Sequence, residues 1–142
     1  MISNFLQLVI GATVQGVFNV IDRNTANSTK PTMANSTKPT MAGKVGANLS
    51  RANFAGMDLQ NRDFVDADLT IANLDRANLA GANLAGANLT GASLMHANLR
   101  GANLAGAKLC NAFFFDADLT GANLSGADRT GAHFGGVKGL GN

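Results

Sequence analysis

The chain has 142 residues, 46% of them hydrophobic and only 14% charged, with 17 glycines, 2 prolines, 1 cysteine and neither Trp nor Tyr. That balance excludes a charge-rich disordered chain, a collagen helix with glycine at every third position, and a disulfide framework or cysteine-based zinc site. The formal net charge of +2 comes from the flanks, because residues 1–46 hold four basic residues against Asp22, whereas residues 47–136 hold six basic residues against eight aspartates. Nucleic-acid binding needs a clustered basic face, and this distribution does not supply one.

Residues 1–23 are apolar and non-repetitive. Ile2, Phe5, Leu6, Val9, Ile10, Val17 and Ile21 fall near one helical stripe, with Phe18 beside them, which points to a helix at the start. Gly11, Gly16 and the β-branched residues of 14–21 lower its helix propensity. Gln7, Gln15 and Asn19 interrupt the apolar run, which is too short and too polar for a membrane span. No basic n-region and no Ala-x-Ala cleavage site accompany it, so the expected compartment is a reducing cytoplasm. The segment reads as a docking arm or as a cap on the rest of the chain.

Residues 24–46 read as a flexible linker. Asn27 to Ala34 spells NSTKPTMA, and Asn35 to Ala42 repeats it. Each copy offers Pro, Ser, Thr and Lys and almost nothing to bury. The Asn-Ser-Thr sequons at Asn27 and Asn35 are read as coincidental, since no secretory signal is evident.

From Ala47 to Gly136 a period of five takes over. With the central residue called i, eighteen pentapeptides run from Leu49 to Phe134 without an insertion. The centre is Leu or Phe in seventeen, with Arg129 the exception; position i−2 is Ala in sixteen, with Met57 and Arg62 the exceptions. Position i−1 is Asn or Asp in fourteen, and i+2 is Gly in ten. An α-helix advances about 100° per residue, so a five-residue step would spiral the leucines around its surface. A plain strand would send them to alternate faces. The chain must instead turn once per pentapeptide, always the same way, with Leu or Phe inside, Ala where a larger side chain would collide, and Gly at the corner.

This A(D/N)LxG pattern resembles the pentapeptide-repeat protein family, over about two thirds of the chain. The resemblance implies an all-β fold: a right-handed quadrilateral parallel β-helix with four pentapeptides per coil and about 4.5 coils, carrying a non-repeat N-terminal extension. Residues twenty apart would then stack. Arg62 in the first coil and Arg129 in the last read as end features, where the apolar ladder lacks a neighbour. Residues 137–142 form a Gly-rich tail.

No catalytic constellation is legible, and no metal or cofactor site. His96 and His133 sit at outward positions at different heights, and Cys110 faces out at i+1 with no activating base. Asp58, Asp63, Asp68, Asp118 and Asp128 occupy the repeat's own Asn/Asp position. No phosphate-binding loop occurs among the glycines. The chain is expected not to be an enzyme and to have no small-molecule substrate.

One departure stands out. Phe113 replaces Asn/Asp at i−1 and Phe115 occupies i+1, on either side of the expected centre Phe114. Met95, twenty residues before Phe115, shares its column. Met95, Phe113 and Phe115 are therefore the candidate interaction patch, because exposed apolar clusters mark contact sites. Phe5, Leu6, Val9, Ile10, Val17, Phe18 and Ile21 are the candidate docking arm or cap. The expected function is a non-catalytic scaffold or protein-interaction module, with a protein partner or self-association rather than nucleic acid or membrane. Two alternatives stand beside it: a structural subunit docked through the arm, and a DNA mimic that binds a type II topoisomerase such as gyrase, which the resemblance implies for some members. The mimic fits poorly, since a duplex carries one charge per ~1.7 Å and these repeats are only weakly acidic.

Overall fold

A computed structural model describes residues 46–141. The candidate arm residues Phe5, Leu6, Val9, Ile10, Val17, Phe18 and Ile21 lie outside the described residues, as does the tandem octapeptide.

Each pentapeptide closes one corner. The N–H of residue i+3 donates to the carbonyl of residue i, as Ala52 does to Leu49 at 3.0 Å. Every i+2 position, from Arg51 at φ 61° to Gly136 at φ 72°, lies in the left-handed region. A single positive φ at the third residue of a four-residue turn is the signature of a type II turn, which is why glycine recurs there. Four residues of each repeat are thus taken up by the turn. The i−1 residue remains, and it forms a single parallel β-bridge with the residue twenty positions on, from Asn48↔Asp68 to Asp118↔Lys138. The sides are too short for extended strands; the sheet character survives as a ladder of one-residue bridges.

The constant offset of twenty sets one circuit of the solenoid. Successive circuits are held by backbone bonds: Leu49 N–H donates to Asp68 O at 2.7 Å, and Asp68 N–H to Ala47 O at 2.8 Å. A third bond, Arg51 N–H to Thr70 O at 2.8 Å, ties corner to corner. The repeating Asn or Asp satisfies the donor that this scheme leaves over. Its Oδ1 accepts from the N–H two residues on, as Asn48 does from Ser50 at 3.1 Å and Asn103 from Ala105 at 3.1 Å. This is an Asx turn, and it explains why short polar side chains recur at i−1.

The interior is four apolar columns. Leu69, Leu89 and Leu109 in one column, and Leu79 and Leu99 in another, are fully buried, as are the alanines at i−2 from Ala77 to Ala92. Phe114 stacks on Phe134 with centroids 4.9 Å apart, the rise of one circuit. At the first circuit Phe54 meets Phe64 edge-on at 6.2 Å, and Met57 fills an alanine position. At the other end Leu124, Phe134, Val137 and Leu140 are only partly buried, and Arg129 stands exposed in the leucine column. A fully buried leucine in such a stack contributes about 2–5 kcal/mol by truncation.

Candidate functional site

Every repeat has the same backbone, so within the solenoid one face differs from another at the outward positions i−1, i+1 and i+2. The four faces differ sharply there. The face centred on Leu84, Leu104 and Leu124 keeps Asn at i−1, small residues at i+1 and Gly at i+2. Its asparagines chain together, Asn103 Nδ2 donating to Asn83 Oδ1 and Asn123 Nδ2 to Asn103 Oδ1, each at 3.2 Å.

The face centred on Phe54, Leu74, Leu94, Phe114 and Phe134 departs from that pattern most. Phe113 and Phe115 project from it with 37% and 40% of their surface exposed. Their rings lie 6.4 Å apart at 27°. Met95, one circuit before Phe115, is half-buried. The ring neighbours of Phe113 and Phe115 include one that the sequence pattern alone did not single out: His133 lies 5.0 Å from Phe113 at 8° and 5.9 Å from Phe115 at 18°. The signal for it was available, since His133 stands twenty residues after Phe113 just as Phe115 stands twenty after Met95. Phe115 also leans over Gly135, where an added Cβ would come within 2.8 Å of its ring. The absence of a side chain at Gly135 gives that ring its seat.

Polar groups rim the cluster. Asp116 Oδ2 is 3.9 Å from His96 Nδ1, with the two side chains 61% and 50% exposed. Below them Asp75 takes the place of a missing cap. Ser93 Oγ donates to Asp75 Oδ1 at 2.5 Å, and Asp75 Oδ1, reaching up one circuit, also accepts from the Met95 N–H at 3.0 Å. Both histidines of the chain therefore sit on this face, beside its two exposed phenylalanines.

Cys110 and Asp118 are each held by hydrogen bonds along the solenoid. Cys110 Sγ donates to Asp128 Oδ2 at 3.2 Å. That hydrogen bond, with some burial, raises the thiol pKa and keeps the proton on sulfur. Asp118 is pushed down to about 2, chiefly by the Thr120 hydroxyl and N–H it accepts from, with Arg100 adding to it at 3.1 Å. Among the described residues no three His, Cys, Asp or Glu side chains group to hold a metal ion, and no helix is long and apolar enough to cross a membrane.

The comparisons with known proteins agree with this geometry. A family model for pentapeptide repeats matches residues 47–79, 72–109 and 97–136. Among solved structures, the pentapeptide repeat protein Rfr23 from the cyanobacterium Cyanothece 51142 is 32% identical with a TM-score of 0.61, over 70% of this chain and 65% of that one. A pentapeptide repeat protein from the Arabidopsis thaliana thylakoid lumen is 35% identical with a TM-score of 0.62, over 63% of each chain. HetL from Nostoc sp. strain PCC 7120, involved in heterocyst differentiation regulation, is 35% identical with a TM-score of 0.56, over 68% of this chain and 51% of that one. The chain thus matches half to two thirds of the length of these proteins. No curated protein matches it. With the family model covering residues 47–136, more than half of its length, the chain belongs to the pentapeptide repeat family.

Proposed function

We propose that this protein is a non-catalytic scaffold, a right-handed quadrilateral solenoid of about 4.5 coils whose one aromatic face binds a protein. One observation carries the reading. Phe113 stands exposed at a position where the repeat gains an Asx turn from Asn or Asp, with Phe115 exposed beside it. An aromatic ring at i−1 gives up that turn and, even stacked on His133 and Phe115, leaves apolar surface exposed. A partner that covers the rings offsets that exposure. Residues 1–23 would serve as a second docking element or as a cap, and the work would be done in the cytoplasm. A duplex-like acidic rod fits less well, because the repeats carry eight aspartates against six basic residues.

The test is photo-crosslinking from a reactive residue placed at position 115, compared with one at position 85 on the asparagine face, in cells that make the protein. Adducts at 115 and none at 85 are the expected result. Equal yields, or none at either position, would reject the aromatic face as a binding surface.

A further inference from the structure

We infer that the aromatic face pairs with a second copy of this chain, antiparallel, about a two-fold axis perpendicular to the solenoid at the level of His96. The inference rests on the reading of this face as an interaction surface and names its occupant.

The corner column beside the face runs Gly56, Arg76, His96, Asp116, Gly136, one residue per circuit. All five share nearly one backbone conformation, with φ from 57° to 72°, so their side chains leave the corner in the same direction. Circuits are about 4.8 Å apart. A two-fold axis through His96 carries each circuit above it onto the circuit equally far below. Arg76 then meets Asp116 of the other copy, Asp116 meets Arg76, and the glycines at the two ends meet each other. The column is its own electrostatic complement, as an isologous interface requires.

The other three corner columns lack this property. Arg51, Ile71, Gly91, Asn111 and Gly131 form one; the other two begin at Asn61 and Asp66 and continue as glycines. Among the described residues Arg76 makes no ion pair, and Asp116 has only the loose His96 contact at 3.9 Å. Both charges are therefore available to a partner.

The same operation fixes what the other outward residues of the face meet. Met95 lies on the axis level and meets its own counterpart. Phe115, one circuit above the axis, is carried to the level of Asp75 of the other copy, and Phe113 to the level of Asn73. A parallel arrangement, with the axis along the solenoid, sets Arg76 and Asp116 against the opposite corner, where no charge answers either. Charge complementarity therefore selects the antiparallel pair. The face has five levels, four steps of about 4.8 Å, so it is only ~19 Å tall, too small to bury the area of a permanent dimer. The expected dimer is weak, with half-association near ~100 µM.

The experiment is sedimentation equilibrium of the full chain with interference optics, since the protein has no Trp or Tyr, over roughly 10 to 500 µM to span that midpoint. Wild type should pass from monomer to dimer. Arg76→Asp and Asp116→Arg should each raise the midpoint at least ~10-fold, because each sets like charges opposite one another. An equimolar mixture of the two variants should associate again, since the new carboxylate of one then meets the new guanidinium of the other. Both substitutions place residue types that this column already holds at φ near 60°, and circular dichroism checks that each variant is folded. A wild type that stays monomeric, single variants that associate like wild type, or a mixture that stays monomeric would each overturn the pairing. A monomeric wild type that still gives crosslinks from position 115 to other proteins overturns self-pairing alone and leaves the scaffold reading standing.

Discussion

Two faces of this solenoid share a backbone and differ in almost everything they show to water. The Leu84–Leu104–Leu124 face keeps Asn at i−1, linked in a ladder by 3.2 Å bonds. The Phe54–Phe134 face replaces those positions with Ser93, Phe113 and His133, yet its bridges from Asn53↔Asn73 to Phe113↔His133 keep the same register. Folding is thus secured by the interior columns, the alanines and the corner conformation. Outward residues are free to change so long as the turn is still closed somehow. The regular face shows the fold's own preferences, and the departures on the other face either close the turn by another route, as Asp75 does, or leave apolar surface exposed, as Phe113 and Phe115 do.

The largest expected effect falls on both faces alike. Leu84 and Leu94 are each fully buried, one behind each face. Leu84→Ala and Leu94→Ala should each cost about 2–5 kcal/mol, with the difference between them set by how far each site can collapse. Chemical denaturation followed by circular dichroism measures both. A Leu94 variant that lost far less would mean that the aromatic face is backed by a looser core, and the comparison would break.

The corners predict effects of opposite sign at one backbone angle. Gly86 has φ +67°, and a Cβ there would come within 2.1 Å of Asp66 Oδ1. Gly86→Ala should destabilise by about 1–2 kcal/mol from left-handed strain, with the exposed Asp66 carboxylate turning aside. Ile71 holds φ 58° with a β-branched side chain 50% exposed. Ile71→Gly should therefore stabilise by up to ~1 kcal/mol. Thermal melts of the two variants decide it, and a destabilised Ile71→Gly would show that this side chain contributes packing that its exposure conceals.

Much of this was legible in the residues. The period of five, the inward Leu and Phe, the small Ala and the twenty-residue stacking of Phe114 on Phe134 follow from asking where an apolar residue can go. The corner was only half legible. Glycine at ten i+2 positions pointed to it, but Arg51, Ile71, Arg76 and His96 take the same positive φ. They do so because the inter-circuit bonds fix the backbone whatever the residue, and local propensity loses to that ladder. Spacing alone shows His133 as an isolated outward imidazole, and its role as a ring appears only when the circuit sets it against Phe113. Asp75 was unreadable for a different reason: its role depends on Ser93, a residue eighteen positions away whose neighbour is set by the solenoid.

That substitution of one cap for another gives a smaller and more specific prediction. Asp75→Ala leaves the Met95 N–H without its acceptor and should cost about 1–2 kcal/mol. Ser93→Asn, which rebuilds the local Asx turn, should recover most of the loss in the double variant and have little effect alone. Non-recovery would mean that Asp75 matters for something other than the turn.

The smallest effect separates faces by charge rather than by shape. Asx turns made by Asn do not titrate, so the Asn83–Asn103–Asn123 ladder is indifferent to acid. Asp118 makes the same turn as a carboxylate, accepting from the Thr120 hydroxyl at 2.6 Å, and its pKa is held near 2, below its ordinary value of 3.8. Asp128 is lowered in the same direction, first by the Thr130 hydroxyl. A depressed carboxylate stabilises the fold above its unfolded pKa, and that contribution fades as pH falls from about 4 toward 2. Stability should therefore slope downward over that window. Asp118→Asn should flatten part of the slope while keeping the turn, as Asn98 and Asn123 do at the same position. An unchanged slope in urea titrations at pH 4, 3 and 2 would place the acid sensitivity elsewhere, first on Asp128.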